Sequence, residues 1–173
     1  GNYERTAIGE MLPVYLDQLG KTRALDKMKL NLTREGWLQP WIRLRDNEIA
    51  ENKRLDEMTM FTSINQVRGY KPGASVMASV EINGDNTPHP ALVTHKFGRG
   101  RVAAMLLGDV WRWGLKEPEQ HKDMDQAWRQ MIRWVVADVP SPIELTARQA
   151  KGAAHEPTCG DSHVREFYHQ CYR

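Results

Sequence analysis

At 173 residues, with 40% hydrophobic and 27% charged side chains, the chain has the length and composition of one globular domain with a sizeable core. A net charge of +2 and the scatter of its 24 basic residues exclude the electrostatic stripe of a nucleic-acid binder, so no nucleic-acid partner is expected. The longest apolar run, Val102–Leu107, is far short of the ~20 residues that span a bilayer, so no direct membrane insertion by this chain is expected.

The amino-terminal Gly1-Asn-Tyr-Glu-Arg5 lacks the basic-then-apolar pattern of a signal peptide, and without an initiator Met it is expected to belong to a processed or partial product. Both cysteines, Cys159 and Cys171, fall in the last fifteen residues, so the core needs no disulfide framework and the cysteines do not indicate a compartment.

Residues 1–45 read as loop-rich, with short apolar pieces at Ile8–Leu16 and Trp37–Leu44 and with Pro13 and Pro40 forbidding one long helix. Asp46 is the expected N-cap of a polar, peripheral helix reaching about Met58, with Ile49 and Leu55 among its few apolar contacts. From Ala74 the pattern changes to period two: Val76, Ala78, Val80 and Ile82 alternate with Ser75, Met77, Ser79 and Glu81, which predicts a half-buried strand. Asn83-Gly-Asp-Asn86 then signals a turn. Ala91, Val93, His95 and Phe97 form the next alternating face, on which His95 is expected as a partly buried sheet residue, and Gly98-Arg-Gly100 turns the chain again. Val102–Leu107 does not alternate, which predicts a central strand buried on both faces.

A helix is expected from about His121 to Val139, stopped by Pro140 and Pro142. Met124, Ala127, Trp128, Met131, Ile132 and Val135 recur at helical spacing and predict one broad buried face, with Trp128 at its centre and Trp134 on its border. Ile143–Ala147 is a candidate further strand, and residues 148–173 read as an irregular tail.

The run Phe97-Gly-Arg-Gly-Arg-Val-Ala-Ala-Met-Leu-Leu-Gly-Asp-Val-Trp-Arg-Trp113, followed by Trp128-Arg-Gln130 and Arg133-Trp134, resembles the closing half of the glutamine-amidotransferase-like domain of large bacterial membrane-associated proteins of unknown role. Gly1–Ile8, Leu12-Pro-Val14, Leu32-Thr-Arg-Glu-Gly36, Gln39–Leu44 and Val67–Met77 fit the same family in the same order, so the resemblance covers about residues 1–147. It implies a class I, flavodoxin-like domain, a parallel sheet with helices on both faces, of which this chain carries the C-terminal half. The expected fold class is therefore α/β: a partial flavodoxin-like domain over 1–147 with an antiparallel strand meander and a C-terminal helix, then the tail. Active members of the wider superfamily hold a cysteine on a strand-to-helix elbow with a His and a Glu nearby, because the thiolate that attacks the glutamine amide must be activated by an oriented imidazole. No cysteine precedes Cys159 here, and His89-Pro-Ala91, placed at the start of a strand, has alanine where the superfamily carries glutamate. No catalytic residue and no cofactor are assigned.

Candidate contacts to a ligand or partner are Gly98, Arg99, Gly100 and Arg101, a turn whose amides and guanidiniums could surround an anion, and Asp109, Trp111, Arg112 and Trp113, which could stack a planar group at the end of a strand. The competing readings are a hairpin that needs a left-handed glycine, and indoles that close the core with Arg112 paired to Asp109. His155, Cys159 and His163, with His169 and Cys171, are a weaker candidate zinc site whose spacing matches no standard pattern. The expected function is a non-catalytic binding or scaffolding domain within a larger envelope-associated assembly, with a protein partner, either the missing half-domain or a second copy. The alternatives are part of an enzyme whose missing half carries the nucleophile, and a zinc-binding tail module.

Overall fold

The computed structural model describes residues 3–17, 23–65, 67, 69–82, 85–115 and 117–137, all within one compact unit, 1–140. The candidate strand at Ile143–Ala147 and the tail lie outside the described residues. The elements in chain order are α1 (Ala7–Met11), β1 (Arg23–Leu32), α2 (Arg34–Trp37), α3 (Glu48–Glu57), β2 (Phe61–Ile64), β3 (Ser75–Ile82), β4 (Asp85–Phe97), β5 (Gly100–Met105), a 3₁₀ helix (Val110–Gly114) and α4 (Pro118–Val136).

The five strands form one sheet in the order β2-β1-β3-β4-β5, and every pairing between them is antiparallel. The β3–β4–β5 meander follows the alternation expected of it. Its second hairpin pairs Phe97 with Gly100 across Gly98 and Arg99, and Gly98 takes φ 58°, a left-handed value suited to the first central residue of a two-residue hairpin turn. The first hairpin pairs Ile82 with Asp85, so β4 begins well before the expected Ala91 and carries His89-Pro-Ala91 in its interior rather than at its start. Pro88 and Pro90 cannot donate to the ladder, and the β3–β4 register shifts repeatedly alongside them. Such bulges increase strand twist, and here the sheet curls. Its far ends meet where Ile64 bridges Leu107, with Asn65 N donating to Leu106 O at 2.8 Å and Gly108 N to Ser63 O at 3.0 Å.

Two expectations about strands are corrected. The loop-rich reading of 1–45 misses β1, which lies inside the sheet between β2 and β3 and whose Met28-Lys-Leu-Asn-Leu32 segment alternates. The strand expected to be central, Val102–Leu107, runs through β5 at the end of the strand order. The strand buried on both faces is β4, where Ala91, Leu92, Val93 and Thr94 are consecutively buried. Segment 102–107 is only partly buried: Ala104, Leu106 and Leu107 are buried, whereas Val102, Ala103 and Met105 are half-buried. Met105 and Leu107 line the same hollow as Trp113, Ala127 and Met131, while Ala104 and Leu106, on the alternate face, line a cleft shared with Leu12, Val14 and Leu16 of the amino-terminal segment.

That segment is tied down at the end of α1, where Lys71 Nζ donates to the carbonyls of Gly9 and Glu10 at 2.7 Å each. The half-buried His95 of β4 donates from Nε2 to the Met11 carbonyl at 2.6 Å. These side chains satisfy carbonyls that a helix end leaves without intrahelical partners. The single turn α2 backs directly onto β3. Thr33 caps it, accepting from Gly36 N at 3.1 Å, and a Cβ on Gly36 would stand 2.0 Å from the Met77 carbonyl, so only glycine fits.

The N-cap of α3 is Asn47, which accepts from Ala50 N at 2.8 Å, and not Asp46. Ile49 is 85% exposed rather than a packing contact, whereas Leu55 is buried as expected. Helix α4 begins at Pro118 rather than His121, because proline suits the first helical position, and it ends at Val136 rather than Val139. Met124, Ala127 and Met131 pack on the core, but Trp128 is 39% and Ile132 58% exposed, so the buried face is narrower than the sequence period implies. Trp134 belongs to the packed side: it stacks on Trp41 with ring centroids 4.5 Å apart.

This rotation of the helix face is measurable. Phe61, 1% exposed, should cost about 3–5 kcal/mol when truncated to alanine. Trp128→Ala should cost roughly 1–2 kcal/mol. Equal shifts in urea midpoint for the two variants would place Trp128 back in the core.

Candidate functional site

The residues singled out in the sequence do not form one site. They fall into two groups at opposite ends of β5. At the β4–β5 turn, Gly98 and Arg99 are exposed and Gly100 opens β5. Arg101 points to α4, donating from Nη1 to the Trp134 carbonyl at 3.2 Å with its guanidinium 5.2 Å from the Trp134 ring centroid. Since Trp134 in turn stacks on Trp41, Arg101 clamps the last turn of the helix, where a cation also complements the helix dipole.

At the other end, Asp109 is buried, 6% exposed, and its carboxylate joins two distant segments. Oδ2 accepts from Thr62 N at 2.8 Å and Thr62 Oγ1 at 3.0 Å, and Oδ1 accepts from Ser63 N at 3.3 Å. Arg112 Nη1 completes the cluster, donating to Thr62 Oγ1 at 2.8 Å and to Asp109 Oδ2 at 3.3 Å. The pairing of Arg112 with Asp109, one of the two readings open from the sequence, is thus present. The indoles on either side part company: Trp111 is 61% exposed, while Trp113 is buried at 7%.

The most buried ionic cluster was not singled out in the sequence. Glu51 is fully buried on α3, and its Oε2 accepts from Leu44 N at 3.1 Å and Arg45 N at 2.9 Å. Its Oε1 accepts from Nε and Nη2 of Arg54, whose guanidinium lies 5.7 Å from the Trp113 ring centroid. Arg45 makes a two-pronged pair with Asp123 of α4, both contacts 2.9 Å, and this hydrogen bond raises the Arg45 pKa above its usual value against a smaller opposing effect of burial. A signal existed. Glu51, Leu55 and Met58 share one face of the helix, so the only apolar face of α3 already included a carboxylate, with Arg54 three residues on.

These arrangements hold segments together. Every oxygen of Glu51 and Asp109 accepts at least one hydrogen bond from within the chain, so each carboxylate acts as a fixed strut between backbone segments. Among the described residues no group of three His, Cys, Asp or Glu side chains could hold a metal ion, and His155, Cys159 and His163 lie outside them. No helix among the described residues is long and apolar enough to cross a membrane.

No family model matches the chain, and no curated protein matches its sequence. Among solved structures it is similar to the cytoplasmic protein STM3548 from Salmonella typhimurium, with a TM-score of 0.51 and 18% identity over 78% of this chain and 47% of that one. At that identity the likeness concerns fold alone: a mixed α/β arrangement with a curled antiparallel sheet and a C-terminal helix. The chain spans about half the length of that neighbour.

Removing the Glu51 carboxylate should leave the Arg54 charge buried and two backbone N–H groups without acceptors. Glu51→Ala should cost about 3–5 kcal/mol in urea unfolding. Glu51→Gln, which keeps one acceptor oxygen, should fall between it and wild type. A loss below about 1 kcal/mol for Glu51→Ala would show that the cluster carries little of the fold.

Proposed function

We propose that this chain is a non-catalytic binding or scaffolding module, related to the closing half of a flavodoxin-like, glutamine-amidotransferase-like domain and working beside further polypeptide of a larger protein. The observation that carries the reading is a surface one. On α4, Trp128, Ile132 and Val136 recur at four-residue spacing and are 39%, 58% and 51% exposed, forming an apolar stripe along the helix. The buried charges of the same region are spent on internal struts, and the outward side of α4 carries this apolar stripe beside the exposed Asp125, Arg129 and Arg133, with a tryptophan, a residue type enriched at binding hot spots, at its amino-terminal end.

The partner in this reading is polypeptide of the same protein. The chain covers 47% of the solved neighbour, and in this reading the parallel strands of a flavodoxin-like sheet would come from further polypeptide of this protein. In the described fold the stripe is exposed, and a second copy is the other occupant this reading allows. The ordered sequence pieces over 1–147 support the family relation, and the β3–β4–β5 meander followed by α4 is compatible with it.

Sedimentation velocity at micromolar concentration should show association of the wild-type chain that disappears in Ile132→Asp, with circular dichroism unchanged. A wild-type chain that stays monomeric throughout would remove the support from the stripe. Release of ammonia from glutamine in a Cys159-dependent manner would overturn the non-catalytic reading.

A further inference from the structure

The two ends of the sheet are finished differently. At β2 the backbone groups next to the seam are taken: Thr62 N and Ser63 N donate to Asp109, and Ser63 O accepts from Gly108 N. At β5 a short stretch is open. Leu106 N donates to Ala91 O and Val93 lies opposite Ala104, so the alternation aims the backbone groups of Ala104 at β4 and those of Ala103 and Met105 away from it. Among the described residues no strand pairs with that outer side, and the bridge of Leu107 to Ile64 comes only beyond it. The open edge borders a cleft of about 540 Å³ shared with Leu12, Val14, Leu16 and Asn65, with Glu4 the one charged residue of its wall. Val102, Ala103 and Met105 are half-buried, so apolar side chains as well as backbone groups remain to be covered. Arg101–Met105 carries none of the features that keep strand edges apart: no proline, no lysine and no bulge.

We propose that this edge pairs with the same edge of a second copy of the chain, antiparallel about Ala103, joining the two sheets. An open strand edge is filled by another strand that has an open edge. β5 is itself such a strand, of matching length and with apolar side chains on both faces, so a second copy supplies what the first lacks. The pairing is self-complementary, as a two-fold contact requires. Ala103 meets the partner's Ala103, each donating its N–H to the other's carbonyl. Val102 lies opposite the partner's Ala104 on the face of the amino-terminal segment. Arg101 lies opposite the partner's Met105 on the face of α4, so like charges do not meet across the strands. A net charge of +2 adds little repulsion between copies. One short strand pair buries less than the ~1,200 Å² at which interfaces become stable, so the dimer is weak. This contact is separate from the outer stripe of α4 and does not rest on the function proposed above.

The test uses the full chain carrying Ile132→Asp, which removes association through the α4 stripe and leaves β5 untouched. Its sedimentation equilibrium from about 10 to about 500 μM, a range suited to a small interface, should fit a monomer–dimer equilibrium. Ala103→Pro in the same background removes an outward N–H without touching the β4 ladder, and should weaken dimerisation about tenfold or more. In amide hydrogen exchange, Ala103 and Met105 should gain protection as concentration rises, whereas Leu106, bonded to Ala91, stays protected throughout. A chain that remains monomeric over the whole range, or a dimer that Ala103→Pro leaves unchanged, would overturn the proposal. So would Ala103 and Met105 amides already protected at the lowest concentration, since the edge is then paired within one copy. Should Ala103→Pro fail to fold, Ala103→Lys decides, because it sets two lysines opposite each other across the two-fold; unchanged dimerisation there counts against the pairing. With Ile132→Asp present throughout, failure of this contact leaves the reading of the α4 stripe standing.

Discussion

The curled sheet depends on one seam, where β2 meets the segment that leaves β5. An antiparallel sheet has two edges whose backbone groups must find partners, and exposed edges invite pairing with other chains. Here the ends turn toward each other, Ile64 bridges Leu107, and the hydrogen bonds of Asn65 and Gly108 close the gap. Asp109 finishes the closure by offering its carboxylate to the amides of Thr62 and Ser63. A neutral amide side chain would bring a single acceptor oxygen to these donors. A carboxylate accepts from both and still binds the Thr62 hydroxyl and Arg112. The seam thereby fixes where the 3₁₀ helix starts and how α4 is delivered to the concave face.

The second constraint is the Glu51 cluster. Buried ion pairs are frequently replaceable by apolar side chains of similar volume, because desolvation offsets their attraction. Glu51 differs, since half of what it binds is backbone. An apolar replacement would strand the N–H groups of Leu44 and Arg45 inside the protein, and no side chain without an oxygen can recover them. Through Arg54 the cluster also reaches Trp113 in the 3₁₀ helix, so the loop held by α3 and the segment leading out of the seam are set by the same few residues. Arg45, whose amide is held by Glu51, then pairs with Asp123 and ties α4 to the same loop.

How much of this was legible in the sequence varies by element, for physical reasons. The meander was readable because Val76–Val80 and Ala91–Phe97 alternate and Gly98 marks a tight turn, all local signals. The alternation in Met28–Leu32 was equally present, but it is short and lies among charged residues, within a stretch where Pro13 and Pro40 suggested loop. The uniform apolarity of Val102–Leu107 suggested a central strand buried on both faces, whereas the segment lies at the end of the strand order with Val102, Ala103 and Met105 half-buried. The strand buried on both faces, β4, carries its apolar run at Ala91–Val93 beside Thr94, where the sequence reads as simple alternation. Of the candidate site, Asp109 and Arg112 were recognised as a pair, but the partners that give Asp109 its role, Thr62 and Ser63, are distant in sequence and no local pattern points to them. Glu51 was missed because a charged residue in a polar helix looks solvated until the loop it caps is in place.

The same limit applies to α4 and shows why its outer surface matters. Hydrophobic periodicity counts apolar residues on a helix without saying what each one meets, so Met124, Ala127, Trp128, Met131, Ile132 and Val135 looked like one broad face. Packing divides them. Met124, Ala127 and Met131 meet the core, and Trp134, stacked on Trp41 and crossed by Arg101, fixes the helix about its own axis. With the rotation set by that stack, Trp128, Ile132 and Val136 turn outward along an adjacent line. Turning them inward would break the Trp41–Trp134 contact and carry Asp123 away from Arg45, so the exposure of the stripe follows from the contacts that hold the helix. Apolar surface held outward in this way can be covered only from outside the described fold, which is why the binding reading rests on this helix rather than on the charged residues beside it.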